Sequence, residues 1–71
     1  MKLEIEYCNT WKYKPRATSL VEQLKKHFSI TEELIASSGG VFEVKADGKL
    51  IFSKKELGRF PEEDEILNLL K

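Results

Sequence analysis

One short stretch, residues 7–16, holds the chain's only cysteine and only tryptophan, Cys8 and Trp11. The same stretch carries three cations and no acid: Lys12, Lys14 and Arg16. A cysteine thiolate is favoured over the thiol where positive charges and a helix N-terminus lie nearby. These residue types therefore indicate a nucleophilic thiol.

A buried, unreactive side chain is the other interpretation of Cys8, because a free cysteine packs like a small apolar residue. Cys8 ends a strand-like run and precedes a helix-like run, and it follows Tyr7 in the alternation, so it points away from the apolar face. In open sheets with parallel strands, reactive groups gather at the carboxyl ends of the strands. From the residues alone the two interpretations stay equally open.

The residues around Cys8 also have two interpretations each. Trp11 either caps one end of a small core, the commoner case, or has a functional role, in which it shields the thiol or forms a docking face for a partner peptide. The cationic side chains are either solvated or attract an anion such as the carboxylates of glutathione. Gly39 and Gly40 predict a turn or a close approach of two backbones. His27 has no second histidine or cysteine at metal-binding spacing, so no metal site is predicted. No organic cofactor is predicted either.

The composition describes one small domain spanning residues 1–71. Twelve basic and twelve acidic residues give no net charge, which argues against binding to nucleic acid or to an anionic membrane. A single cysteine excludes an internal disulfide. The start of the chain alternates apolar and charged residues, unlike a signal peptide, and no apolar run is long enough to span a membrane. We therefore expect a cytoplasmic protein that is a monomer or a weak dimer.

The hydrophobic pattern predicts the element order β-α-β-β-β-α. Alternation of apolar and charged residues predicts a first strand over residues 2–7, and a helical stripe predicts a helix over residues 15–28. Three more strands are predicted over residues 30–37, 41–46 and 49–53, the last two joined by a hairpin turn at Asp47-Gly48. Residues 54–60 are expected to be a charged connector, and Pro61 is expected to open a second helix.

These elements predict a mixed sheet of four strands. Two strands that flank a helix form a unit with parallel strands, and the hairpin adds antiparallel ones. Every strand also carries polar positions, whereas a sheet covered on both faces would be apolar throughout. We therefore expect both helices on one face of the sheet.

Segments in the same order along the chain resemble the selenoprotein W-like proteins, the Rdx group within the selenoprotein T/W/H family. They are Tyr7-Cys8-x-x-x-x-Tyr13-Lys14-Pro15-Arg16-Ala17, Gly39-Gly40-Val41-Phe42-Glu43-Val44, Asp47-Gly48, Ser53-Lys54 and Gly58-Arg59-Phe60-Pro61. The resemblance covers nearly the whole chain. It implies an α/β, thioredoxin-like fold with the element order given above.

The resemblance also implies a redox role. In that family a Cys-x-x-Cys, or a Cys-x-x-selenocysteine, lies between the first strand and the first helix. Cys8 matches the first position, but Trp11 occupies the second, and tryptophan cannot resolve a mixed disulfide. No other residue can do so, because the chain has no second cysteine. A dithiol cycle within one monomer is therefore excluded.

Three roles for Cys8 stay open. It could form a mixed disulfide with glutathione or a protein thiol that an outside thiol later releases. It could be a redox-sensing or dimer-forming thiol, or the site could be degenerate and leave a non-enzymatic interaction module with a Trp11 and Tyr13 surface. We expect the first role, with Lys12, Lys14 and the helix start supporting the thiolate and Trp11 covering it. A sulfur open to solvent favours thiol exchange, whereas one packed under Trp11 and Tyr13 favours the module.

Overall fold

The fold is built around a four-stranded sheet, seen in a computed structural model that describes residues 1–71. The elements are β1 (Lys2–Cys8), α1 (Lys14–Lys25), β2 (Thr31–Ser37), β3 (Phe42–Ala46), β4 (Lys49–Ser53), α2 (Lys54–Leu57) and α3 (Glu65–Leu70). The strand order across the sheet is β2-β1-β3-β4. β1 is parallel to β2 and antiparallel to β3, and β4 is antiparallel to β3. The predicted mixed sheet is confirmed.

Both longer helices cover the same face of this sheet. Alternate residues of β1 point to that face and are buried, and the core cluster combines residues of the strands with residues of α1 and α3. Its members are Leu3, Ile5, Tyr7, Ala17, Val21, Leu24, Phe42, Val44, Phe52, Ile66 and Leu67. The opposite face carries charged side chains, among them Glu4, Glu6 and Lys45. The predicted thioredoxin-like arrangement, with both helices on one face, is therefore confirmed.

None of the helices has the length and apolar character needed to cross a membrane.

The hairpin turn lies where the sequence predicts it. Asp47 and Gly48 both have positive φ angles, 50° and 83°, as a two-residue hairpin turn of type I′ requires. The Asp47 carboxylate also accepts a hydrogen bond from the backbone N–H of Lys2 at 2.8 Å. The turn is thereby fastened to the start of the neighbouring strand β1.

The helices differ from the sequence prediction in three places. Helix α1 ends at Lys25 rather than at residue 28, and the backbone N–H groups of His27 and Phe28 fold back to Leu24 in a final turn. The expected connector contains the one-turn helix α2, which Ser53 caps by accepting a hydrogen bond from the Glu56 N–H at 3.2 Å. The last helix begins at Glu65 and not at Pro61. The element order is therefore β-α-β-β-β-α-α.

The late start of α3 has a local electrostatic cause. The Glu65 carboxylate accepts two hydrogen bonds from the Arg59 guanidinium, at 2.7 and 3.1 Å, and one from the Glu62 backbone N–H at 2.9 Å. This carboxylate holds residues 59–64 in an irregular turn, in which Asp64 has a φ of 65°. Arg59 and then the Glu62 amide lower the pKa of Glu65 from 4.5 to about 2.

We expect this carboxylate to make the protein's stability depend on acid pH. Because its pKa is lower in the folded chain, its contribution is complete above about pH 4.5 and is lost as the pH falls toward about 2. Urea unfolding of the parent and of Glu65→Gln at pH 7 and at pH 2.5 measures this contribution. The variant should be the less stable at pH 7, and the difference should shrink at pH 2.5. Glu63→Gln, at an exposed residue, is the matched control, and an equal gap at both pH values would contradict the expectation.

Candidate functional site

Cys8 lies at the carboxyl end of β1, where the parallel pair ends and the chain turns toward α1. Its backbone is held on both sides, because the Cys8 N–H donates to the Val41 carbonyl at 2.9 Å and the Asn9 N–H donates to the Ser37 carbonyl at 3.0 Å. The side chain has no exposed surface, yet it is not a member of the core cluster. The thiol is therefore buried outside the core cluster and is not open to solvent.

Residues 9–13 cover Cys8, and we call them the thiol loop. The backbone N–H of Trp11 donates a hydrogen bond to the Cys8 Sγ at 3.3 Å, and the Tyr13 N–H donates to the Cys8 carbonyl at 3.0 Å. The Lys12 N–H closes a tight turn onto the Asn9 carbonyl at 3.1 Å. An amide donor of this kind stabilises negative charge on the atom that accepts it. The Trp11 backbone N–H is thus the hydrogen-bond donor to the sulfur.

The indole ring of Trp11 is largely in solvent, since 60% of this residue is exposed. The ring lies instead against Gly40, in the loop between β2 and β3. A Cβ atom at Gly40 would lie only 2.6 Å from Cζ3 of the indole, so the contact requires glycine. The sequence predicted a turn or a close approach at this residue, and the approach is by the ring of Trp11. The Trp11 backbone N–H contacts the sulfur, and the ring joins the thiol loop to the loop between β2 and β3.

The cations near Cys8 have different roles. Lys12 and Lys14 are exposed, and neither donates a hydrogen bond to the sulfur, so any influence they have on it acts through space. Lys12 also has a φ of 59°, an uncommon conformation for a residue with a side chain. The Arg16 guanidinium lies 4.0 Å from the centre of the Phe60 ring. Arg16 is therefore engaged in a cation–π contact on the adjoining surface.

Four aromatic side chains form a continuous cluster from the thiol loop to the core. Trp11 meets Tyr13 edge to face at 6.0 Å between ring centres, and Tyr13 meets Phe60 at 4.6 Å. Phe60 in turn contacts the buried Phe42 at 5.5 Å. Sequence reasoning missed Phe60 as part of the site, although the Gly58-Arg59-Phe60-Pro61 segment was available as a signal. The cluster links the thiol loop to the core through Phe60.

A surface groove of about 480 Å³ begins beside Phe60, between α1 and residues 60–63. Its lining residues are Pro15, Arg16, Ser19, Leu20, Gln23, Phe42, Phe60, Pro61, Glu62 and Glu63. No three histidine, cysteine or acidic residues are grouped so that they could hold a metal ion. The structure therefore brings together an enclosed thiol, an exposed indole and an adjoining open groove.

Comparisons with known proteins agree on the type of fold. The Rdx family matches residues 2–71 of this chain. Migration and invasion enhancer 1 of Bos taurus is 28% identical over 72 residues, covering 100% of this chain and 63% of that protein. The Mus musculus protein of the same name is 29% identical, covering 94% and 59%. The chain thus spans about three fifths of the length of these relatives.

Two solved bacterial structures share the fold, each with 24% sequence identity. A protein of Bordetella parapertussis superimposes with a TM-score of 0.90 over 97% of this chain and 91% of its own. A selenoprotein W-related protein of Vibrio cholerae superimposes with a TM-score of 0.73 over 99% and 96%. At this level of identity the structural likeness establishes the fold.

The contact between Trp11 and Gly40 can be tested with a pair of neighbouring glycines. Gly40→Ala and Gly39→Ala both place a side chain at positive φ, 73° and 81°, which costs roughly 1–2 kcal/mol in each case. Only the Cβ at residue 40 meets the indole, since nothing lies within 4 Å of one at residue 39. We expect Gly40→Ala to be less stable than Gly39→Ala by about 1–3 kcal/mol.

Urea unfolding measures this difference, and fluorescence of the single tryptophan measures displacement of the ring. The emission should shift in Gly40→Ala and stay unchanged in Gly39→Ala. Equal stability and equal spectra for the two variants would show that the indole does not lie on Gly40 in solution.

Proposed function

The chain belongs to the Rdx family, and from this membership we propose that Cys8 acts as a single-cysteine thiol-exchange group. Membership implies a redox-associated role on a thioredoxin-like fold. Within such a role one thiol can exchange with a disulfide but cannot complete a dithiol cycle. The observation that carries the proposal is the hydrogen bond from the Trp11 N–H to the Cys8 Sγ.

The proposed reaction has two exchange steps. The Cys8 thiolate attacks one sulfur of oxidised glutathione or of a protein disulfide, the S–S bond breaks, and the other sulfur leaves as a thiolate. The product is a mixed disulfide on Cys8. An outside thiol, itself deprotonated, then attacks this disulfide and releases Cys8, so the electrons come from that thiol. No second cysteine of the chain takes part.

Electrostatic support for this reaction comes from several directions. The Trp11 amide can stabilise charge on the sulfur, and Lys12 and Lys14 lie on the same loop and at the start of α1 with no acid in the first helical turn. The cations can also attract the carboxylates of glutathione. We propose Lys12, Tyr13 and Lys14 as supporting or binding residues and Trp11 as the residue whose backbone covers the thiol.

Access to the sulfur is the step that the structure constrains most. Cys8 has no exposed surface, so a disulfide can reach it only when the thiol loop moves. The loop is closed by backbone hydrogen bonds and by the indole on Gly40. The rate of mixed-disulfide formation therefore depends on how often the loop opens.

A non-enzymatic interaction module is the second candidate, and one observation favours it. The thiol is enclosed while Trp11 is 60% exposed, and Tyr13 joins it to the groove beside Phe60. Exposed aromatic residues are common anchors of protein interfaces. In this alternative the thiol loop holds a partner, and Cys8 is a structural residue at its base.

Reaction with oxidised glutathione distinguishes the two candidates. We expect the folded protein to gain one glutathione by mass, and Cys8→Ser to gain none. Gly40→Ala should react roughly five- to thirty-fold faster, if its clash lowers the free energy of loop opening by about 1–2 kcal/mol. Gly39→Ala is the matched control and should react like the parent. If the folded protein forms no adduct although the urea-unfolded protein does, thiol exchange is wrong and the interaction module remains.

A second test restores the missing thiol. The amide of residue 11 lies 3.3 Å from the Cys8 sulfur, so Trp11→Cys should place two thiols close enough to pair. After mild oxidation we expect no free thiol by titration and a monomeric mass. The oxidised variant should regain both thiols with reductant and should reduce a small disulfide when an outside thiol is supplied. A Thr10→Cys variant is the control for position; equal bond formation there would contradict a specific role for residue 11.

A further inference from the structure

Strand β2 forms one edge of the sheet, and one side of its backbone has no partner strand. It is seven residues long and pairs with β1 in unbroken register. The opposite edge, β4, has five residues, and its pairing with β3 shifts register between Val44 and Lys45. Short length and irregular register protect an edge strand from further pairing. β2 has neither protection and is the edge that suits an added strand.

The hydrogen bonds to β1 determine which groups of β2 face outward. The Thr31 N–H donates to the Met1 carbonyl, and the Ser37 carbonyl accepts from the Asn9 N–H. Odd-numbered residues of β2 therefore bond to β1. Because backbone groups alternate sides along a strand, the N–H and C=O groups of Glu32, Leu34 and Ala36 point to the open edge.

The two acidic residues of β2 do not prevent another strand from pairing at this edge. Glu32 forms an ion pair with Lys25 of α1, and Glu33 forms one with Lys2 of β1 at 3.5 Å. Each acid is thus matched by a cation of its own chain. The middle of the strand, Leu34-Ile35-Ala36, is apolar, and Ile35 is 37% exposed on the face away from the helices.

We propose that β2 pairs with β2 of a second copy of this chain, antiparallel about a two-fold axis at Leu34. Glu32, Leu34 and Ala36 then face Ala36, Leu34 and Glu32 of the second copy. All three outward N–H groups of each copy find an outward carbonyl, which joins the two sheets into one. The two copies use the same segment, as a closed symmetric dimer requires.

The side chains select this register over its neighbours. With the axis at Leu34, Glu33 lies opposite Ile35 of the second copy, and no like charges face each other. Moving the axis to Glu33 would place that acid opposite itself. Moving the axis to Ile35 would pair Glu32 with Ser38, which lies beyond the end of β2. The axis at Leu34 alone keeps the full strand paired and the acids apart.

This interface is independent of the proposed thiol chemistry. Cys8 is in register with Ser37, at the carboxyl end of β2. In the antiparallel pair the two thiol loops therefore lie toward opposite ends of the joined strands. Dimer formation needs no Cys8 disulfide, and loss of thiol reactivity leaves it unaffected.

Sedimentation equilibrium in the presence of a reductant tests the proposal. The protein concentration should range from about 10 μM to about 1 mM, which suits a small interface. The mass should rise from that of one chain toward that of two, and Cys8→Ser should behave alike. Ala36→Pro removes an outward N–H without removing a bond to β1, and it should abolish the rise. Ala36→Val keeps that N–H and is the matched control, with circular dichroism confirming that both variants fold. A monomer at every concentration, association only without reductant, or association of Ala36→Pro would overturn the proposal.

A pair of variants at Ile35 tests the register. Ile35→Glu places an acid opposite Glu33 of the second copy at both ends of the pair, and Ile35→Lys places a cation there. We expect Ile35→Glu to raise the dissociation constant by roughly two- to thirty-fold and Ile35→Lys to leave it equal or lower. Equal weakening by both variants would place the axis elsewhere and contradict the pairing at Leu34.

Discussion

The parallel pairing of β1 with β2 is the constraint on which the site depends. Two adjacent parallel strands require the chain to leave at the end of the first and return across a face of the sheet, and α1 makes that return. The chain therefore turns sharply at Cys8. Only five residues lie between Cys8 and α1, so their backbone amides fold back onto the strand end. The donor on the Cys8 sulfur follows from this topology.

Because a backbone amide makes that contact, it does not depend on which side chain residue 11 carries. The identity of residue 11 instead determines where its side chain lies. A thiol would stay beside Cys8, but an indole cannot share the enclosed space of a residue with no exposed surface. The ring turns to Gly40, where the missing Cβ leaves room for it. The tryptophan thus joins the thiol loop to the loop between β2 and β3.

Much of the fold could be predicted from the sequence. Each strand or helix buries one face, so its apolar residues repeat with the period of that element. Leu3, Ile5 and Tyr7 gave the period of two, and Asp47-Gly48 gave the hairpin. The helix boundaries failed where side chains from other segments decide them. Glu65 illustrates this, because its bonds to Arg59 and to the Glu62 amide delay a helix that Pro61 could have opened.

The enclosure of Cys8 could not be predicted for a different reason. Alternation predicts Cys8 on the other side of β1 from the core cluster, of which it is not a member, but the residue that bonds to its sulfur belongs to a loop without periodicity. Any reaction at its sulfur therefore requires the loop to open. The aromatic cluster opposes opening at one end, since Tyr13 is held against Phe60, whereas Trp11 has only Gly40 and the edge of Tyr13. The loop should therefore open first at its Trp11 end, where the indole ring rests on Gly40.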